Sequence, residues 1–256
     1  PTLGMVVTRT LEIQDFKPEP YWVLSINYRN VVFTASSGKF TSKQAADAAL
    51  VSIHGKFFQI VDIQKKAGKE AAPQLYDLTA LQVDCNRRYG FSAEKTLQTL
   101  QSLYEKKLTT YPRVDTRYLT DDIYAKCPGI LSALTDYAQF VAQLKESPLP
   151  KSSRVFNSAK VTDHHAIIPT GQHPKTLTQS EQQVYDLICR RFIAVFLPDC
   201  QFSTTAVLGK CGDVGFKATG KEILLQGWKA VYASLSQHDD ESDKHEQILP
   251  SFVKGE

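Results

Sequence analysis

The sequence has no long apolar run and few cysteines. No stretch approaches the ~18–20 consecutive apolar residues that a membrane helix needs. The five cysteines are odd in number, and none lies in a Cys-x-x-Cys pair or in a Cys/His spacing typical of zinc. These absences argue against a membrane-spanning protein and predict reduced, mostly buried thiols in a cytoplasmic protein.

Extremes of composition are also lacking. Apolar residues make up 42% of the 256 residues and charged residues 22%, which is typical of a globular protein and excludes a fibre or a disordered chain. The length fits one large domain or two ordinary ones. Because the chain begins with Pro1 and not with Met, we expect it to be an internal segment of a longer protein.

Charge is nearly balanced in total but unevenly distributed. The net charge of +3 comes from 30 basic and 27 acidic residues. Residues 85–118 hold seven basic and three acidic residues, whereas residues 238–256 hold six acidic residues and two lysines. A basic middle favours a polyanionic partner, although two ordinary charged surfaces would explain it equally well.

Apolar periodicity predicts strands on either side of a helical segment. Period-two alternation indicates early strands, three- and four-residue spacing then indicates helices, and strand patterns return near the end. The predicted strands are residues 21–27, 31–34, 56–66, 201–208, 215–219 and 222–225. This order predicts an α+β fold with more than one domain, in which a helical segment is inserted into a β element.

Several helix boundaries can be predicted from capping residues. Thr79 and Ser92 are candidates to cap two successive helices, and Thr178 with Glu181 has the spacing of a capping box. Pro128 is expected to break a later helix. Tyr104 and the leucines of the second of these helices are expected in the core.

The most reactive side chains lie between two predicted helices, at residues 109–118. Pro112 favours an extended conformation for Tyr111, which keeps Tyr111 and Arg113 on the same side of a stiff segment. A phenol is a poor nucleophile unless its oxyanion is stabilised, and a guanidinium can do this and also bind phosphate oxygens. The pair therefore indicates covalent attack on a phosphodiester, although a structural tyrosine beside a surface arginine gives the same pattern.

Five segments, in this order, resemble the type IA DNA topoisomerases: residues 78–82, 86–93, 103–108, 110–116 and 163–170. The fourth reads Thr-Tyr-Pro-Arg-Val-Asp-Thr, and the fifth contains the family's His-x-Ala-Ile-x-Pro element. The resemblance covers nearly the whole chain, since shorter matches occur at its ends (residues 1–4, 18–22, 218–220 and 227–228).

The resemblance implies a role for each matched residue. Tyr111 would attack single-stranded DNA and hold its 5′ phosphate covalently, and Arg113 would stabilise the transferring phosphate. Asp115 and Thr116 match residues that shape the pocket and touch DNA, and His164 matches a histidine at the scissile region. His165 stands where some relatives have glutamate, which leaves its role open.

Three further basic residues could add phosphate contacts: Arg87, Arg88 and Lys95. A solvated helix surface explains them equally well. Gln82 is expected to pack between helices.

The family's fold implies an antiparallel β arch domain with an inserted all-helical, helix-turn-helix-like domain. On this basis residues 1–16 would end a preceding helical domain. Residues 17–70 and 206–256 would form an incomplete arch, and residues 71–205 the helical domain that carries Tyr111.

Part of the family's machinery has no counterpart in this sequence. The Asp-x-Asp-x-x-Gly metal site of the N-terminal Toprim domain is absent, so we expect no metal ligands here and Mg²⁺ only in the full-length enzyme. The expected partners are single-stranded DNA and the Toprim domain of the same polypeptide, in a monomeric, nucleoid-associated protein. Alone, the chain is expected to be inactive.

Two other functions remain possible. Tyrosine recombinases and type IB enzymes also form phosphotyrosine, but they need dispersed arginines and a His-x-x-Arg element, which the Ala-Ile-Ile-Pro sequence after the histidines does not provide. A non-catalytic helix-turn-helix module that binds single-stranded DNA, with Tyr111 structural, would also fit helices around a basic loop.

Overall fold

The computed structural model describes residues 1–144, 148–235 and 249–256. Residues 236–248, which include most of the acidic segment and part of the predicted arch, lie outside the described residues. Strands flank the helices, which confirms the order predicted from periodicity. The helices are α1 Thr2–Gln14, α2 Lys43–Ile53, α3 Leu78–Tyr89, α4 Ala93–Glu105, α5 Cys127–Ala133, α6 Ala138–Val141 and α7 Gln179–Ala194. The strands are β1 Trp22–Tyr28, β2 Val31–Phe40, β3 Phe58–Glu70, β4 Cys200–Cys211 and β5 Val214–Leu225.

Two compact units divide the chain. The first contains Pro1–Lys66, Thr204–Lys221 and the described residues 249–256. The second contains Ala67–Ser203 and residues 222–235. The chain passes from one unit to the other within β3, β4 and β5. The finer domain boundaries, the arch and the helix-turn-helix arrangement stay predictions.

The sheet has five strands in the order β1-β2-β5-β4-β3 among the described residues. β2 pairs antiparallel with both β1 and β5. Arg29 and Asn30 turn the chain from β1 to β2, and their positive φ angles of 51° and 61° suit the right-handed twist of a hairpin. Val31, Phe33 and Ala35 are buried at alternate positions, so that β2 supplies one face of the core of the first unit.

In the second unit, α3 and α4 begin with side-chain caps. Ser92 caps α4 as predicted, by accepting a hydrogen bond from the backbone of Lys95 at 3.1 Å. The prediction that Thr79 caps α3 is wrong: Asp77 takes that position, and its carboxylate accepts from the Ala80 N–H at 2.6 Å. An acidic cap also interacts favourably with the helix dipole.

The predicted break at Pro128 is wrong. Pro128 lies in the first turn of α5, which follows a 3-10 turn at Asp121–Lys126. The missing N–H of proline has no consequence there, because the first N–H groups of a helix have no acceptor within it.

The core of the second unit is built around α7. Its capping box is present as predicted, because Glu181 and Thr178 each accept from the other's backbone N–H. Leu187, Ile188 and Phe192 of α7 are fully buried, and Leu100 and Leu103 of α4 lie in the same core. All five cysteines are free and buried, as predicted.

Candidate active site

The segment that carries Tyr111 is hydrogen-bonded at both of its ends to one core residue, Ala166. Before Tyr111, the hydroxyl of Thr110 donates to the Ala166 carbonyl at 3.1 Å. After it, the Tyr118 carbonyl accepts from the Ala166 N–H at 2.9 Å. Between these points the Val114 carbonyl accepts from the Leu78 N–H at the start of α3. Residues 111–117 therefore form a loop with a fixed base and an anchored middle, which we call the tyrosine loop.

Burial alternates along the tyrosine loop. Pro112, Val114 and Thr116 are buried, whereas Arg113 and Asp115 are exposed and Tyr111 is half-buried. This alternation places Tyr111, Arg113 and Asp115 on the more exposed side. Neither Arg113 nor Asp115 has a hydrogen-bond or ion-pair partner within the described part of the chain.

The ring of Tyr111 lies between two other rings. The His164 ring is 4.3 Å away, centroid to centroid, at an interplanar angle of 32°. The Tyr104 ring is 5.6 Å away and nearly perpendicular, at 87°. Both distances are typical of favourable aromatic contacts, which fix the direction of the phenol. Among the described residues no group forms a hydrogen bond with the Tyr111 hydroxyl.

The other predicted site residues differ in what they can offer a ligand. His164 is exposed beside Tyr111. His165 is half-buried, and its Nδ1 donates to the Ala166 carbonyl at 2.8 Å because a carbonyl oxygen only accepts. The Thr116 hydroxyl donates to the Lys160 carbonyl at 2.7 Å and is thus engaged within the chain.

Arg87 and Lys95 form no hydrogen bond, ion pair or ring contact with Tyr111 or His164 in the parts of the chain that the structure describes. Arg87 and Lys95 are exposed, and the Lys95 ammonium lies 3.8 Å from the centre of the Phe91 ring. Arg88 is half-buried, 5.9 Å from the centre of the Tyr232 ring. Their contact with DNA stays a prediction.

Tyr104 was expected in the core, but its side chain is 38% exposed. Its contact with Tyr111 joins the last turn of α4 to the tyrosine loop. Gln82 lies as expected between helices, since its side chain donates to the Ala93 carbonyl at 3.0 Å.

A cluster of polar side chains next to the tyrosine loop was not predicted from the sequence. The Lys160 ammonium donates to the Tyr118 hydroxyl at 3.1 Å, and this bond, together with one from Gln74, lowers the pKa of the phenol. The two residues are 42 positions apart, so no local pattern could pair them. They line an open depression of about 430 Å³, together with Gln74, Asp77, Asp115, Thr116, Arg117 and Thr162.

The described residues contain no group of three or more His, Cys, Asp or Glu side chains placed to hold a metal ion. They therefore provide no cluster of protein ligands that could hold Mg²⁺ without additional ligands from a substrate or from elsewhere. Within the same residues no helix is both long and apolar enough to cross a membrane.

Comparisons with known proteins identify the family. A sequence profile described as DNA topoisomerase matches residues 1–256. DNA topoisomerase 3 of Bacillus licheniformis is 41% identical over 267 aligned positions, which cover 100% of the chain and 36% of that protein. The chain belongs to the type IA DNA topoisomerases. The resemblance inferred from the five motifs is confirmed, and within the family the chain is similar to topoisomerase III.

Two further comparisons show how much of each relative the chain covers. DNA topoisomerase 3 of Bacillus subtilis is 40% identical, over 100% of the chain and 37% of that protein. The full-length topoisomerase I of Thermotoga maritima shares the fold, with a TM-score of 0.72 at 21% identity over 100% of the chain and 41% of that structure. The chain thus spans little more than a third of the length of these two topoisomerase 3 relatives.

Proposed function

We propose that the chain is the central, tyrosine-bearing part of a type IA DNA topoisomerase that cleaves and rejoins one DNA strand. The Tyr111 oxygen attacks a phosphodiester, forms a bond to the 5′ phosphate and releases the 3′ oxygen. The phenol gives up its proton, and the leaving 3′ oxygen takes one up. Rejoining reverses each step.

The unengaged hydroxyl of Tyr111 carries this proposal. A buried structural tyrosine usually uses its hydroxyl in a hydrogen bond. Here the ring is held by His164 and Tyr104, while the hydroxyl has no partner among the described residues. A fixed ring with a free oxygen suits a nucleophile, because alignment with the phosphate then costs little entropy.

Arg113 and His164 suit the phosphate. Arg113 is exposed two residues after Tyr111 and has no ion-pair partner in the described chain, so that its five N–H donors are free to bind phosphate oxygens as charge develops. His164 presents an exposed ring next to the attacking phenol. We propose that both contact the scissile phosphate and that Asp115 lies beside the bound strand.

The whole enzyme needs more than this chain, which spans 36–37% of the two relatives. The described residues provide no cluster of protein ligands for a metal ion. We propose that Mg²⁺ binds to a Toprim domain of the same polypeptide. On this basis the isolated chain would bind single-stranded DNA but would not relax or decatenate DNA.

The test is a chimera in which residues 1–256 replace the matched segment of the Bacillus subtilis DNA topoisomerase 3. Covalent attachment to end-labelled single-stranded DNA is read on a denaturing gel. We expect attachment by the chimera, its loss in Tyr111→Phe and its retention in Tyr104→Phe, the matched control. Attachment that survives Tyr111→Phe would refute the assignment. DNA binding without attachment in the unmodified chimera would favour the non-catalytic module.

A further inference from the structure

The Thr110 side chain joins the two segments that bring Tyr111 and His164 together. Its hydroxyl donates to the Ala166 carbonyl at 3.1 Å and accepts from the Ile168 N–H at 3.0 Å. Thr110 directly precedes Tyr111, and Ala166 lies two residues after His164. The Thr110 side chain therefore binds two residues that lie 56 and 58 positions later in the sequence, next to both rings.

The bond to Ile168 replaces a main-chain bond. The Thr110 N–H donates to the Ile168 carbonyl at 3.0 Å, as in an antiparallel pair. The return bond from the Ile168 N–H goes to the Thr110 hydroxyl and not to its carbonyl. Ala166 and Ile168 are buried, so that water cannot replace the hydroxyl as their partner.

We infer that Thr110 is a positioning residue whose hydroxyl holds Tyr111 in register with His164. The contact of the two rings, which are tilted by 32° to one another, depends on the relative position of their backbones, and the hydroxyl ties those backbones together within one residue of Tyr111. The consequence for DNA cleavage rests on the proposed function, whereas the positioning itself does not.

Thr109 provides a matched control in the adjacent position. Its side chain is buried, with 2% exposure, whereas that of Thr110 is half-buried, and its hydroxyl has no hydrogen-bond partner among the described residues. Thr→Val keeps the shape of the side chain and removes the hydroxyl. The substitution therefore removes two hydrogen bonds at Thr110 and none at Thr109.

The first measurement is the proton NMR spectrum of the His164 ring in the isotope-labelled chain. The Tyr111 ring shifts these resonances, and Tyr111→Leu defines their position without it. We expect Thr110→Val to move them most of the way to the Tyr111→Leu position. Thr109→Val and Thr110→Ser, which keeps the hydroxyl, should leave them in place. An unchanged His164 spectrum in folded Thr110→Val would overturn the inference.

If Thr110→Val does not fold, Thr110→Cys tests the positioning role of Thr110 in its place. A thiol is a weak hydrogen-bonding group of similar size, so the His164 resonances should move part of the way. A wild-type spectrum in Thr110→Cys would contradict the positioning role.

The second measurement is the rate of covalent attachment in the chimera. Thr110→Val should lower the rate about tenfold to a hundredfold while the affinity for single-stranded DNA stays within about twofold, because only alignment is lost. Thr110→Ser should restore the rate, and Thr109→Val should not change it. Shifted His164 resonances with an unchanged rate would overturn the link to cleavage alone. Attachment that survives Tyr111→Phe would instead refute the proposed function.

Discussion

Lys106 forms a 2.6 Å ion pair with the buried carboxylate of Glu181, linking the end of α4 to the first turn of α7. Glu181 also accepts from the Ser102 hydroxyl at 2.7 Å. Burial disfavours its charged form, but these bonds outweigh burial and lower its pKa from 4.5 to about 2. The carboxylate thus serves as both a helix cap and a link between two core helices.

Glu181 makes the stability of the chain depend on acid pH. A lowered folded pKa contributes stability that is complete above pH 4.5 and lost as the pH falls towards 2. We expect Glu181→Gln to reduce the free energy of unfolding by about 1–3 kcal/mol at pH 7 and by less at pH 3. Urea denaturation between pH 3 and pH 7 measures this loss of stability. Glu105→Gln, at an exposed position, is the control. An equal loss at both pH values would contradict the assignment.

Arg191 and Asp84 form a second ion pair, at 2.6 Å, in which both side chains are largely but not fully buried. The Tyr76 hydroxyl donates to the same carboxylate oxygen at 2.6 Å, and burial raises the pKa of Tyr76 well above its usual range. Asp84→Asn leaves the guanidinium without its counter-charge and should destabilise the chain by about 3–5 kcal/mol.

A double-mutant cycle tests this coupling. The Asp84→Leu and Arg191→Met double variant should be less destabilised than the sum of the two single variants, because no buried charge remains unpaired. Additive losses in urea denaturation would show that the pair is not coupled.

Lys160 controls the ionisation of Tyr118. Its hydrogen bond is the largest cause of the lowered phenol pKa, so Lys160→Met should raise that pKa. The ¹³Cζ resonance of Tyr118, followed by NMR through alkaline pH, reports it directly. Lys151→Met is the control, because it removes a lysine beside a different tyrosine: the Lys151 ammonium lies 5.5 Å from the centre of the Tyr124 ring. A Tyr118 titration unaffected by Lys160→Met would exclude the interaction.

Gly209 and Gly129 should respond oppositely to alanine. A Cβ at Gly209 would overlap the ring of Phe58, whereas a Cβ at Gly129 in α5 meets nothing within 4 Å. Gly209→Ala should destabilise the chain by about 1–3 kcal/mol. Gly129→Ala should stabilise it by up to about 1 kcal/mol through helix propensity. Thermal unfolding distinguishes the two, and equal effects would contradict the predicted overlap.

Salt dependence can test the predicted phosphate contacts. If Arg113 and Arg87 each bind one phosphate of a single strand, Arg113→Gln and Arg87→Gln should each reduce the slope of log K against log salt by about 0.7. Both side chains are exposed, so the fold should not change. An unchanged slope removes that residue from the set of contacts.

Local signals predicted local structure well. The Thr178 capping box, the Ser92 cap and the alternation in β1 depend on neighbouring residues, and all three are present. The prediction of Thr79 as the cap of α3 was wrong because Asp77, two residues earlier, also has a capping side chain, and the choice depends on where the preceding chain lies. Asp77 is also held by Arg117 through a 2.6 Å ion pair 40 residues away.

The candidate active site was predictable only in part, because local patterns do not show which distant residues meet in the fold. The exposed side of the tyrosine loop follows from Pro112 and period-two alternation. The proximity of His164 was implied by family resemblance and not by any local pattern. The roles of Thr110 and Tyr104 were missed, because a threonine before a tyrosine and a tyrosine on a helix have no distinctive signature.

The double attachment of the tyrosine loop to Ala166 has a mechanical consequence. If a DNA strand is bonded to Tyr111 and pulled, the load passes through hydrogen bonds on both sides of the loop into a fully buried residue. The tether is therefore short, and tension on the strand would be carried directly into the core of the second unit.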